Sequence, residues 1–118
     1  MDPMDTATAR RRLDEIREGL DRSISVLRGE HPEEASSGYP LDPADAGSNL
    51  TEVDRITAIL DAAQRQRAEV VDALDRLESG RYGTCVGCGR PVPEGRLEAR
   101  PEAARCVACQ SKLDRQRR

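Results

Sequence analysis

Two segments of the chain carry apolar residues at the spacing of one helical face. In the first, about residues 6–28, apolar side chains recur every three or four positions and charged residues fill the gaps. Thr6 or Thr8 is the predicted N-cap, and Gly29 followed by Pro32 predicts the end of the helix. We therefore predict an amphipathic helix whose stripe consists of Ala9, Leu13, Ile16, Leu20, Ile24 and Leu27.

The second segment, about residues 50–79, alternates steps of three and four residues, as a coiled-coil seam does. Asn49 or Thr51 suits its start, and Ser79-Gly80 predicts its end. A helix with this stripe cannot bury it alone, so we predict that the two helices pack antiparallel around a tip loop at about residues 30–49. The seam comprises Val53, Ile56, Leu60, Ala63, Arg67, Val70, Leu74 and Leu77, where Arg67 is polar and is expected to snorkel to the seam edge.

The composition explains why a helical hairpin alone is not expected to stabilise the folded chain. Of 118 residues, 36% are hydrophobic and 35% are charged, and the chain has no Phe or Trp. Ordinary compact domains are more apolar and more aromatic than this. A narrow helical seam and a metal-stapled module are two ways to stabilise such a chain, and the sequence indicates both.

The metal-stapled module is predicted from two C-x2-C pairs, which are separated by seventeen residues. This spacing is typical of a zinc site with four thiolate ligands. Such a site is tetrahedral and closed, with no open position for a substrate. A thioredoxin-like centre would need a βαβ context, and disulfides would need an oxidising compartment. We predict one structural Zn²⁺ held by Cys85, Cys88, Cys106 and Cys109, with the distant His31 as a loop residue.

These elements predict a mainly α fold with two parts. An antiparallel coiled-coil helical hairpin occupies residues 1–79. A small four-cysteine zinc finger with a short C-terminal helix occupies residues 80–118. Neither part contains a nucleophile–base arrangement or a phosphate-binding glycine loop, so we expect that the protein is not an enzyme.

The charge distribution is uneven although the net charge is only −3. Residues 29–54 contain seven acidic residues and no Lys or Arg, whereas residues 81–118 contain nine bases and four acids. Such asymmetry is typical of a surface for a protein partner. The bases are scattered and lack interleaved aromatic residues, so we expect no specific nucleic-acid binding. No apolar run of membrane-spanning length is present, and we expect a cytoplasmic monomer with no membrane association.

The motifs "YGTCVGCG", "RLEARP" and "CVACQ", in this order, resemble the zinc finger of the TraR/DksA family. These are small bacterial transcription factors that bind RNA polymerase rather than DNA. The resemblance implies that the hairpin enters the polymerase secondary channel with a tip motif D-x-x-D-x-A. Asp42 and Asp45 match its two acids, whereas Gly47 stands where the family has Ala. From the loop alone, both acids also suit a turn start and a helix cap.

The resemblance also bears on the basic residues of the finger. Some family members respond to guanosine tetraphosphate, which basic side chains hold against polymerase. Arg100 matches one of these, but Gln110 and Glu69 stand where two further bases are expected, so we predict weak or no dependence on the nucleotide. Arg96 and Arg100 are predicted to contact polymerase or nucleotide. The alternative is an adaptor whose finger and coiled coil bind another protein.

Overall fold

The computed structural model of the protein describes residues 5–30 and 49–117. Four helices lie in these ranges: α1 (Thr6–Leu27), α2 (Asn49–Glu78), α3 (Glu94–Ala99) and α4 (Val107–Gln116). The same ranges contain no β-strand, only an isolated antiparallel bridge between Thr84 and Pro91. The predicted mainly α fold is confirmed, and α3 is an addition to the elements that the sequence indicated.

The ends of the long helices follow from local hydrogen bonding. The N-cap of α1 is Asp5, not Thr6 or Thr8 as predicted, because its Oδ1 accepts a hydrogen bond from the Thr8 backbone N–H at 2.7 Å. This hydrogen bond lowers the pKa of Asp5. At the end of α2, Gly80 has φ +74° and the Arg81 N–H donates to the Arg76 carbonyl at 2.8 Å. That left-handed position suits glycine, which has no Cβ.

The described residues form two compact units. The first comprises residues 5–17 and 68–117, and the second comprises residues 18–30 and 49–67. In the first unit the start of α1 lies beside the end of α2, and Arg10 Nη1 is 3.1 Å from Glu78 Oε1. This pairing is antiparallel. Its buried side chains are Ala9, Leu13, Val70, Ala73 and Leu77.

The buried face of α2 in the first unit differs from the predicted seam. Ala73 is completely buried, whereas the predicted seam residue Leu74 is only partly buried. Arg76 is also buried, although the seam pattern excluded it. The reason is that α2 here lies against the finger as well as against α1, so it buries a wider surface than a two-helix seam requires.

In the second unit the helices have a sparser core. Ile24 is its only described residue that is buried, and Val53, a predicted seam position, is 56% exposed. Arg67 does more than snorkel to the edge: its Nε donates a hydrogen bond to the Asp21 carboxylate of α1. The polar interruption in the seam is therefore matched by a charge of opposite sign on the facing helix.

Candidate functional site: a four-cysteine metal centre

The first C-x2-C pair lies in a tight turn after α2. The Cys85 N–H donates to the Arg90 carbonyl at 2.8 Å, and the Gly89 N–H donates back to the Cys85 carbonyl at 2.9 Å. The Gly87 N–H points at Cys85 Sγ from 3.3 Å. The turn therefore folds its backbone around the sulfur atoms and directs amide hydrogens at one of them.

The second pair lies at the start of α4. Cys106 is the N-cap residue of this helix, and Cys109 lies in its first turn, so both sulfur atoms are near the helix N-terminus. Amide hydrogens and the helix dipole favour negative charge at that position. The two pairs are joined by the Val86 N–H, which donates to the Ala104 carbonyl at 2.9 Å.

The four thiols meet the geometric requirement of a tetrahedral zinc site. All four Sγ atoms lie within 4.8 Å of one another, and Cys88 Sγ is 3.9 Å from Cys106 Sγ. Zn–S bonds of about 2.3 Å in a tetrahedron place sulfur atoms about 3.8 Å apart. The donor set therefore fits Zn²⁺ without rearrangement of the backbone, and the predicted structural zinc site is confirmed.

The electrostatics of the cluster also favour a cation. Burial raises the pKa of Cys85, but hydrogen bonds from the backbone of Cys106, Gly87 and Cys88 outweigh it and lower the pKa to about 6. Hydrogen bonding with the Cys106 and Cys85 sulfurs raises the pKa of Cys109 to about 12. The values diverge because a thiol that donates a hydrogen bond to a neighbouring thiolate keeps its own proton. A bound dication instead stabilises the thiolate form of all four cysteines.

Gly87 leaves the space that the cluster needs. A Cβ added there would lie 3.0 Å from Cys109 Sγ and 3.2 Å from Cys109 Cβ. Both contacts are tighter than ordinary van der Waals distances, so a side chain at this position would push the second pair away from the first. The glycine between the first two cysteines is therefore a steric requirement of the site.

The apolar core of the finger is small. Its buried residues are Cys85, Val92 and Leu97, with Tyr82 and Ala103 packed at the edge. The Tyr82 hydroxyl donates to the Pro101 carbonyl at 2.9 Å. Three buried side chains cannot offset the conformational entropy of a segment of this length, so the metal supplies much of its folding free energy.

The two predicted basic contact residues already have internal partners. Arg96 Nε donates to the Arg105 carbonyl at 2.9 Å. Arg100 Nη2 lies 3.4 Å from Glu102 Oε2 and 3.9 Å from Glu69 Oε2. Glu102 is buried, and this carboxylate was missed because nothing in the sequence pattern distinguishes it from an exposed acid. The tip acids Asp42 and Asp45, with Gly47 and His31, lie outside the described residues.

Arg12 is a further residue that sequence reasoning missed. Its Nη2 donates to the Glu98 carbonyl at 2.8 Å, at the last turn of α3. A cation at a helix C-terminus satisfies carbonyl groups that have no partner within the helix. This contact fastens α1 to the finger. The sequence indicates it only by the charge of Arg12, which lies more than seventy positions before the first cysteine of the metal site.

An antiparallel helical pair with a closed four-cysteine finger defines a mainly α zinc-finger protein, and comparison with known proteins shows what the finger is similar to. Residues 80–115 match the model of the prokaryotic dksA/traR C4-type zinc finger. The RNA polymerase-binding transcription factor DksA of Caulobacter vibrioides is 35% identical over 77 residues, 65% of this chain and 54% of that protein. The protein of the same name from Escherichia coli K12 is 26% identical over 97 residues, 82% of this chain and 60% of that protein.

A solved structure, that of transcription factor DksA2 from Pseudomonas aeruginosa, is also similar. It superposes with a TM-score of 0.63 at 25% identity, over 98% of this chain and 89% of that chain. Residues 80–115 of this chain therefore form a C4-type zinc finger of the dksA/traR type. The chain spans only a little over half the length of the curated relatives it matches. Within residues 5–30 and 49–117, no helix is both long and apolar enough to cross a membrane.

Proposed function

We propose that this protein regulates transcription in the cytoplasm by binding RNA polymerase through its secondary channel, without specific DNA binding. The observation that carries the proposal is the four-cysteine centre inside a finger that matches the dksA/traR model. The DksA relatives support it, since they are named as RNA polymerase-binding transcription factors. The metal has four thiolates and no open position, so its proposed role is to hold the finger together and not to catalyse.

The active element in this proposal is the acidic tip of the hairpin. Asp42 and Asp45 match the family's tip motif, and the seven acids of residues 29–54 are not balanced by any base there. Carboxylates near the catalytic Mg²⁺ and mobile elements of polymerase would stabilise one of their arrangements over another. A difference of about 1.4 kcal/mol is enough to change the lifetime of an open complex about tenfold.

Replacing both tip acids with their amides is expected to abolish the effect on transcription while leaving binding nearly intact. Asp42→Asn/Asp45→Asn removes charge but preserves size and polarity, so the hairpin still enters the channel. The measurement is the affinity for core RNA polymerase together with open-complex lifetime at a responsive promoter. Glu33→Gln/Glu34→Gln is the matched control, because it removes two acids of the same stretch outside the motif.

The other outcomes of this experiment are informative. If the tip variant loses binding and activity in equal measure, the acids contribute affinity and do not act on the catalytic centre. If the unaltered protein does not bind core polymerase at all, the proposal is wrong and the adaptor alternative is favoured. In that case the finger and the helical pair serve a different protein partner.

The finger would bind the rim of the channel through its bases. Between Arg81 and Arg117 eight bases face four acids, which favours an acidic partner surface. Arg96 and Arg100 belong to this set, but their internal contacts reduce what each can contribute. Arg115 and Arg117 of the C-terminal segment are exposed and are the bases most available for such a contact.

We further propose that guanosine tetraphosphate has little effect on this protein. Arg100 is the one base of the family's nucleotide-binding set that is present, and two carboxylates of the chain itself, those of Glu69 and Glu102, lie within 4 Å of its guanidinium. A phosphate approaching Arg100 would be repelled by both. Gln110 adds no charge, and its amide nitrogen donates to Asp114 at 3.0 Å.

The nucleotide is accordingly expected to give no synergy with the unaltered protein in a transcription assay with polymerase. Glu69→Lys/Gln110→Lys should create synergy, because it restores both bases around Arg100. Glu98→Lys/Ser111→Lys makes the same change in net charge at exposed positions elsewhere on the finger and is the control. Strong synergy with the unaltered protein, or equal gains in both variants, would refute this assignment.

A further inference from the structure

One arginine of the first unit differs from the others in its surroundings. Arg76, in the last turn of α2, is 8% exposed, and its Nε and Nη2 have no hydrogen-bond partner among the described residues. Four other arginines of this unit have partners, namely Arg10, Arg12, Arg96 and Arg100. Arg17 Nε is also buried without a partner, but its Nη2 is paired with Asp14 at 3.7 Å.

The two unpartnered nitrogens of Arg76 belong together chemically. In a guanidinium group, the N–H bonds of Nε and Nη2 lie on one edge and point in parallel. That edge binds two oxygens of a single carboxylate, phosphate or sulfate. The buried group is therefore a complete bidentate donor for an oxyanion, and no acceptor of the described residues is bonded to it.

The charges around Arg76 favour an anion as well. Burial lowers the pKa of Arg76, and Asp72 and Tyr82 only partly offset this, while Arg105 and Arg81 lower it further. Of these, Arg105 has a partly buried side chain and Arg81 an exposed one. A buried guanidinium with no acceptor on two of its nitrogens is costly to the folded state unless a negative group joins it.

We propose that the buried Nε–Nη2 edge of Arg76 is a binding site for a small inorganic oxyanion of the phosphate class. Because Nε and Nη2 are shielded from water, an anion reaches them only when a neighbouring side chain moves aside. Once there, its hydrogen bonds are charge-assisted and poorly screened, which favours specific binding over general salt effects.

Inorganic phosphate is the probe for this site. The zinc-loaded full chain is heated in phosphate and in chloride at equal ionic strength and pH, and the melting temperature and zinc content are recorded. Phosphate is expected to raise the melting temperature by about 3 °C or more, with saturation, because it binds the folded state alone. The ¹⁵N resonance of the Arg76 Nε–H group should shift along the same titration curve.

Arg76→Met distinguishes a binding site from a structural role. Methionine fills similar space without charge, so this variant should lose the phosphate response and be at least as stable as the unaltered protein in chloride. Arg90→Met removes an exposed arginine of the same finger and should keep the response. If Arg76→Met does not fold, Arg105→Gln serves instead and should weaken the response.

Two results would overturn the proposal. One is an equal melting temperature in phosphate and chloride. The other is an Arg76→Met variant that folds and keeps the full phosphate response, since the anion would then not need the guanidinium. Neither measurement involves RNA polymerase, so failure here is independent of failure of the proposed function.

Discussion

Cys85→Ser is expected to abolish zinc binding and to unfold the finger. Cys85 is one of four sulfurs within 4.8 Å of one another and also lies in the buried core of the finger. Structural zinc contributes about 10–16 kcal/mol in small zinc-finger peptides, far more than three buried side chains supply. The variant should contain no zinc by elemental analysis, and the amide resonances of residues 80–116 should lose their dispersion. A strong chelator should have the same effect on the unaltered protein.

The two long helices, α1 and α2, are expected to remain partly folded in Cys85→Ser. Ala9, Leu13, Val70, Ala73 and Leu77 bury one another independently of the metal, so much of the helical circular dichroism should remain. Val86→Ser is the control, because Val86 is the exposed neighbour of Cys85 and has no ligand atom in the cluster. It should retain one zinc and a dispersed spectrum. A Cys85→Ser protein that does the same would contradict the structural role of the metal.

Leu13→Ala is expected to cause the largest loss of stability within the helical pair. Leu13 is completely buried and is among the largest fully buried side chains of the described residues. Truncation of such a side chain removes apolar burial and leaves a cavity, which together cost about 2–5 kcal/mol. Urea unfolding of the zinc-loaded protein, followed by circular dichroism, should show a lower midpoint with a similar slope.

Val53→Ala tests whether a position on the apolar stripe is enough to predict a large loss of stability on truncation. Both residues belong to predicted stripes, but Val53 is 56% exposed. Its truncation should change stability by no more than about 0.5 kcal/mol, and the higher helix propensity of alanine offsets part of that. Comparable losses in the two variants would mean that Val53 is covered in solution.

The elements and the metal site were predictable because their signals are local. A helical face requires only the three- and four-residue recurrence seen at Ala9, Leu13 and Ile24, and those three residues are indeed buried. The zinc site requires two C-x2-C pairs, since the two-residue spacing within each pair brings both thiols to one ion whatever the rest of the fold.

The buried polar groups were not predictable in the same way. Arg76 and Glu102 are buried because α2, the finger and the segment after α3 meet around them, and charged residues at those positions look exposed in the sequence. The N-cap residue of α1 could not be predicted from the sequence alone either. Asp5, Thr6 and Thr8 are all good cap residues, and only the backbone conformation selects Asp5.

The sequence by itself therefore determined which segments are helical, which four side chains can bind a metal and which family the finger resembles, since each depends on spacing along the chain. Only the tertiary structure decided which charges face one another. It pairs Arg67 with Asp21, surrounds Arg100 with Glu69 and Glu102, and leaves two nitrogens of the buried Arg76 with no acceptor among residues 5–30 and 49–117. The physical reason is that an ion pair depends on distances between segments far apart in sequence, and local periodicity carries no information about them.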